Sequence, residues 1–267
     1  EIPLRLVGSE MCIRDRQKRG DRIMAEKKYE ITYAAITDKG ERTNNEDYLG
    51  VGKDNTGVLC VLCDGLGGHG KGEVASRFVV EEMIESVCNK GVNVEHAIVS
   101  TQENLLKKQE RENAQSSMKT TLTCLYIEQE DASYYHVGDS RVYHFESGKV
   151  KDRTLDHSIP QLLAARGDIK ESEIRHHPDR SRLLRVVGTP WDSPKYSVSK
   201  KIKIGKKTTF LMCSDGFWEL IDEKTMCKLL KKSATPAEWL EEMRKIVLEN
   251  GRGTNMDNYS AIAVFIR

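Results

Sequence analysis

Residues 58–76 read VLCVLCDGLGGHGKGEVAS. Val58 to Cys63 are apolar without a break, which suits a strand buried on both faces inside a sheet. DGLGGHGKG cannot continue a strand and reads as a glycine-rich turn. Behind it Val74, Ala75, Phe78, Val79, Met83, Ile84 and Val87 fall on one stripe and predict a helix. The order is strand, sharp turn, helix, with Asp64 and Gly65 at the turn.

The same plan recurs further along the chain. YYHVGD ends at Asp139 and TTFLMCSD ends at Asp215, while Asp257 comes just before the strand SAIAVFI. A strand end is rigid and aims a carboxylate well. If the last strand runs antiparallel to its neighbours, all four carboxylates converge on one rim. Crowded acids repel one another, and divalent cations relieve that repulsion. Ligands that are all oxygen favour hard ions such as Mg²⁺ or Mn²⁺. Asp-Gly is also an ordinary turn dipeptide, so the pattern alone leaves a metal site and a set of turns both open.

The remaining strands are predicted at YEITYAAIT from Tyr29, near Tyr48–Gly52, and at Thr120–Glu128, Ala132–Val137 and Arg141–Phe145. Helices are predicted at Val94–Gln109, after Ser158, at Asp222–Lys232 and after Thr235. Ser158 with Gln161 and Thr235 with Glu238 have capping-box spacing, and each pair encloses a proline. Gly167 and Gly251 read as stops. The polar stretch from Arg175 to Pro194 reads as a mobile surface segment. Strands come in groups with helices between the groups, which favours an antiparallel sheet or sandwich covered by helices.

Composition narrows the function classes. Among 267 residues, 42 Lys and Arg stand against 41 Asp and Glu, so no global basic field for nucleic acid exists. No run approaches the roughly 18 apolar residues of a spanning helix. No secretory segment is visible, so a cytoplasmic protein without membrane attachment is expected. The seven cysteines are odd in number and scattered, and Cys60 with Cys63 lacks the second pair a zinc site needs. They read as reduced thiols. Residues 1–28 are expected to be a disordered or non-native N-terminal extension, with Met24 as a natural start, and 29–267 to form one domain.

Six blocks in order, RTNNED, DGLGGHGKGEVAS, KTTLT, HVGDSRVY, LMCSDGFWE and DNYSAIAVF, resemble the PPM family of metal-dependent protein phosphatases, type 2C, in its bacterial branch. The likeness runs from about Tyr29 to Arg267. It implies an α+β fold: a four-layer α-β-β-α sandwich of two mainly antiparallel sheets, with helices outside. It implies metal-dependent hydrolysis of phosphoserine and phosphothreonine by a two-metal-activated water, with two Mn²⁺ or Mg²⁺ ions and room for a third. Asp64 would bridge the metals and the Gly65 carbonyl would bind one. Asp215 and Asp257 would complete a shell. Asp47, with Glu46, would hold metal-bound waters, and Asp139 would serve the third ion, together with Glu219.

Arg42 would grip the phosphate through its fork of donors. His69 is the candidate general acid. Residues of about 156–190 resemble the family's flap. The resemblance implies phosphoprotein substrates, an opposing serine/threonine kinase and a monomer. Two departures stand out: Leu66 follows Asp-Gly where the family has Met or His, and Lys119 replaces a glycine. The alternative is a non-catalytic phosphoprotein-binding or kinase-scaffolding module on the same fold. A hydrolase of small phosphate esters is a further alternative.

Overall fold

The computed structural model describes residues 29–66 and 70–267. The expected N-terminal extension 1–28 and the candidate acid His69 lie outside the described residues. In chain order the elements begin with β1 (Ile31–Asp38), β2 (Asp47–Lys53) and β3 (Gly57–Leu66). Helices α1 (Gly72–Ile84) and α2 (Val94–Glu112) follow, joined through a π-helical turn at Glu85–Asn89. Five strands come next: β4 (Lys119–Thr120), β5 (Leu122–Glu128), β6 (Asp131–Val137), β7 (Arg141–Glu146) and β8 (Lys149–Arg153). Then come α3 (Ile159–Arg166), a 3-10 turn at Glu171–His176, and the short strands β9 (Ser197–Val198) and β10 (Ile202–Lys203). The chain closes with β11 (Thr208–Cys213), α4 (Asp215–Trp218), α5 (Glu223–Leu230), α6 (Pro236–Gly251) and β12 (Tyr259–Ile266).

One sheet has the order β1-β12-β11-β7-β8 and the other β10-β6-β5-β3-β2, with β4 added to β3 and β9 to β6. Each pairing is antiparallel. Strand alternation sorts the apolar residues into layers. Cys60 and Leu62 of β3 meet Phe210 and Met212 of β11, and Ile262 and Val264 of β12, between the sheets. Leu59, Val61 and Cys63 face the opposite way, onto Val79 and Met83 of α1 and Ile98 of α2. Leu211 and Ala263 turn outward onto Trp239 and Met243 of α6. The four-layer sandwich follows directly. Each such large side chain taken fully from water stabilises the fold by roughly 1.5–3 kcal/mol.

Cys60 and Cys63 stand an odd number of residues apart and therefore face opposite sides of β3, which explains why they make no metal pair. No described cysteine is in a disulfide. Among the described residues no helix is long and apolar enough to cross a membrane.

The caps form with small differences. The Ser158 hydroxyl accepts from the Gln161 amide, and Gly167 closes α3 with φ +81°. The Thr235 hydroxyl accepts from the Glu238 amide, but the Glu238 carboxylate reaches back to the Ala234 amide instead of Thr235. The helix α2 runs three residues past the expected Gln109 and ends at Asn113, with φ 50°.

The stretch 175–194 corrects an expectation. It is irregular, but it is pinned to the body. Buried Gln109 donates to the carbonyls of Met118 and Gly188, and Gln102 accepts from the Gly188 amide and donates to the Thr189 carbonyl. Val187 also exchanges backbone bonds with Thr120. Composition shows the polarity of this segment but not the two glutamines that hold it. Lys119 is accommodated half-buried in the two-residue β4, opposite Leu66.

Candidate metal centre

The two sheets bring their acids to one edge. In β2 and β3, Asp47 stands directly opposite Asp64, which puts both side chains on one face. The end of β11 meets the start of β12, with Cys213 opposite Ala261. That antiparallel register sets Asp215 beside Asp257, as the sequence reading required. A Ser214–Ser260 clasp extends it: the Ser214 amide donates to the Ser260 carbonyl and the Ser260 amide donates to the Ser214 hydroxyl. The Ser214 hydroxyl in turn donates to Asp47 Oδ2 at 2.7 Å, which joins the sheets at the site.

The acids sit less simply than at strand ends. β3 continues two residues past Asp64, because Gly65 and Leu66 pair with Thr120 and Lys119. Asp139 lies two residues beyond β6, after Gly138 with φ +105°. Asp215 opens α4, and Asp257 precedes β12 by two residues. The backbone around Asp64 is fixed by side chains: its amide donates to Thr121 Oγ1, and its carbonyl accepts from the Thr120 hydroxyl and the Thr121 amide.

Two glycines allow the close approach. A Cβ on Gly65 would stand 2.4 Å from the Gly72 carbonyl oxygen and 2.6 Å from that of Glu46. A Cβ on Gly216 would stand 2.2 Å from the Asn258 carbonyl oxygen, so only glycine lets α4 press against the lead into β12.

The electrostatics are those of crowded acids partly withdrawn from water. Burial, followed by the charges of Asp215, Asp47, Asp139 and Asp257, pushes the Asp64 carboxyl well above the usual range. Burial raises Asp47 to about 7, with Asp215 and Asp257 adding to the rise. The Ser260 hydroxyl lies near Asp47 but donates to Thr37. Asp215 rises to about 6 through burial and then Asp257, and it lies within hydrogen-bonding reach of Asp64. Burial holds Asp139 well above its ordinary value, with Asp215 the next cause. Glu219 rises to about 7 through burial and Asp215, although Arg180 binds it at 2.9 Å.

Asp47 Oδ1 is buried and has no hydrogen-bond partner. An unpartnered carboxylate oxygen among raised acids, with further oxygen donors alongside, is a donor set suited to a hard divalent cation. Among the described residues no group of three or more His, Cys, Asp and Glu side chains is placed so that it could hold a metal ion. Two of the carboxylates have protein partners instead: Asp257 Oδ2 accepts from Arg42 and Asp47 Oδ2 from Ser214.

Of the residues singled out from sequence, Asp47, Asp64, Gly65, Asp215 and Asp257 come together, and Asp139 stands on the Glu219 side. Arg42 is at the rim, with its side chain 44% exposed. Sequence reasoning missed Ser214 and Asn258. Asn258 accepts from the Glu46 amide and donates to the carbonyls of Lys39 and Asn44, so it holds the loop that carries Arg42. The signal was present, since Asn258 is inside DNYSAIAVF and Ser214 inside LMCSDGFWE.

The family model described as protein phosphatase 2C matches residues 39–252. The serine/threonine protein phosphatase PstP of Mycobacterium tuberculosis is 28% identical over 238 residues, which is 87% of this chain and 44% of that protein. The chain thus spans less than half the length of that relative. The serine/threonine phosphatase stp of Listeria monocytogenes is 30% identical over 221 residues, covering 76% of this chain and 84% of the relative. A crystal structure of the PstP catalytic domain in complex with 2 manganese ions aligns with TM-score 0.75 at 25% identity, over 89% of this chain and 99% of that one.

Proposed function

The chain belongs to the protein phosphatase 2C family, and from that premise we propose that it removes phosphate from phosphoserine and phosphothreonine in proteins. The observation that carries the reading is the meeting of buried Asp47 with partly buried Asp64 and Asp215 in one cluster of acids, with Asp47 Oδ1 unpartnered. Asp64, the Gly65 carbonyl, Asp47, Asp215 and Asp257 would hold a pair of Mn²⁺ or Mg²⁺ ions, and Asp139 a third. Such cations, when bound, make water acidic enough to attack near neutral pH and offset phosphoryl charge.

The chain's own residues do the rest. Ser214 holds one oxygen of Asp47 and fixes the carboxylate's orientation. Arg42 can leave Asp257 for a phosphate, where its planar fork binds two oxygens at once. His69 is assigned the return of a proton to the departing seryl or threonyl oxygen, a task suited to imidazole. No side chain is offered as a covalent nucleophile. Burial pushes the Cys60 thiol up to about 12 and Cys63 well above its ordinary value, so neither supplies thiolate. On this reading its partners are phosphoproteins, with a serine/threonine kinase as the opposing activity, and the chain works as a cytoplasmic monomer.

The test is release of phosphate from a phosphothreonine peptide. Turnover is expected with Mn²⁺ and is expected to vanish in Asp64→Ala. Turnover that persists in excess chelator would sink the proposal. Phosphopeptide binding without turnover would favour a scaffolding module instead.

A further inference from the structure

The backbone at Asp139 is held from two directions. On one side the Gly138 amide donates to His157 Nδ1 at 3.2 Å, and the His157 amide donates to the Gly138 carbonyl at 2.8 Å. On the other, the carbonyl of Asp139 accepts the indole Nε1–H of Trp218 at 3.0 Å. Trp218 is the last residue of α4, the element that Asp215 opens, and it is buried.

The indole is itself clamped. The Arg141 guanidinium lies over the ring, 3.4 Å from its centroid, and that of Arg175 lies 5.5 Å away. Arg141 is buried and forks onto Asp156, with Nε to Oδ1 at 2.9 Å and Nη2 to Oδ2 at 2.7 Å. Its Nη1 donates to the Tyr143 hydroxyl, which donates on to Glu223 Oε1 at 3.0 Å. Arg175 reaches the same Glu223 oxygen at 2.9 Å. A cation over an indole face is held most firmly where water is excluded, and a buried indole N–H needs an acceptor. The ring therefore has one position, and that position fixes the Asp139 peptide. The Asp139 carboxylate lies near both Asp215 and Glu219.

We infer that Trp218 is a positioning residue for Asp139: stacked under Arg141, its indole N–H holds the Asp139 peptide so that the carboxylate meets a divalent cation beside Glu219. The inference rests on the metal-dependent reading above. It also couples the root of the flap, through Asp156 and Arg175, to the acid assigned to the third ion, which on this reading binds most weakly. A packing role alone would be filled by any large ring. The N–H bond to the carbonyl of a ligand residue would not, and it acts as second-layer contacts to metal ligands do.

The experiment is calorimetric titration of the chelator-treated chain with Mn²⁺, accompanied by thermal melts. Trp218→Phe keeps an aromatic ring under Arg141 and loses the donor. It is expected to weaken the weakest binding step by roughly ten-fold and to leave the stronger steps in place. Asp139→Asn is expected to remove that step, and adding Trp218→Phe to it to change nothing further. Tyr143→Phe cuts the same buried network away from Asp139 and is expected to lower the melt without moving the step. If Trp218→Phe does not fold, Trp218→Met removes the donor and fills the space with a flexible apolar side chain. An unchanged weakest step, equal weakening of every step, or equal weakening by Tyr143→Phe would overturn the inference. A wild-type chain that binds no Mn²⁺ would instead bring down the functional reading and this inference with it.

Discussion

Nη2 of Arg42 lies 3.0 Å from Oδ2 of Asp257, and the two side chains are 44% and 47% exposed. One carboxylate oxygen thus serves the residue assigned to phosphate while belonging to a residue assigned to metal. The pair is exposed, so it adds little to stability and can exchange partners readily. Arg42→Ala is expected to lower kcat/KM on a phosphopeptide by roughly a hundred-fold, as loss of a phosphate-side donor does. Arg42→Lys is expected to recover only part, since an ammonium cannot fork. Mn²⁺ affinity, read by calorimetry, should be equal or tighter in Arg42→Ala, because Asp257 loses a competitor. Weaker metal binding in that variant would contradict the assignment.

Replacement of Asp64 by Asn should have opposite effects on stability and function. The carboxylate is partly buried, with Asp47, Asp139, Asp215 and Asp257 near it. Asp64→Asn removes a carboxyl whose ionisation its neighbours oppose, and keeps the shape. Without metal the variant is expected to be more stable than wild type by about 1 kcal/mol, read from denaturant unfolding. With Mn²⁺ the order should reverse, since binding stabilises only the chain that can bind. Turnover should be lost.

Much of this was legible in the chain. The period-2 split of Leu59, Val61 and Cys63 from Cys60 and Leu62 is a property of the sequence, and it fixes which layers β3 separates. The converging aspartates were legible on the condition that the last strand is antiparallel, and the register of Cys213 with Ala261 meets that condition. What could not be read is contact between distant residues. Ser214 and Asp47 are 167 positions apart, and Asn258 and Glu46 are 212 apart. A serine or asparagine has many ordinary uses on a surface, so nothing local marks these. The end of β3 was misplaced for the same reason: β4, which prolongs it, comes more than fifty residues later.

Gly65 and Gly70 belong to the same glycine-rich run yet should respond differently to alanine. A Cβ at Gly65 would strike backbone atoms of Gly72 and Glu46, which cannot swing aside. Gly65→Ala is expected to cost about 3 kcal/mol or more and to abolish turnover. Gly70 has φ +91° and, among the described residues, nothing within 4 Å of an added Cβ, so Gly70→Ala meets backbone strain there, about 1 kcal/mol. Chemical denaturation of both variants compares them, and equal losses would refute the close approach at Gly65.

Acid should unfold the chain partly through His157. Its ring is stacked on His136 with centroids 4.4 Å apart. Burial, then the charges of His136 and Arg185, lowers His157 from 6.5 to about 3. A lowered histidine favours the neutral form in the fold. Its contribution is present above pH 6.5 and is lost progressively as pH falls from there toward 3. His157→Gln, which retains one acceptor and one donor for Gly138 and Ser197, should therefore lose melting temperature more slowly than wild type between pH 6.5 and 4. Parallel curves would remove His157 from the account.

Asn258 separates positioning from binding. Its backbone amide donates to Asp257 Oδ1 at 2.8 Å, but its side chain bonds no proposed ligand and instead spans three points of the 39–46 loop, at Glu46, Lys39 and Asn44. Asn258→Ala removes all three bonds and leaves partly buried backbone groups unpaired, at about 1–3 kcal/mol. Asp257 keeps its place, because Gly216 still packs against the Asn258 backbone, not its side chain. Arg42 loses the loop that aims it. The expected result is a KM for phosphopeptide raised several-fold more than the Mn²⁺ activation constant. Asn258→Asp should be nearly as poor, since it keeps the acceptor for Glu46 and loses both donors. A variant in which metal activation suffers first would mean that Asn258 serves the cation side of the site and not the phosphate side.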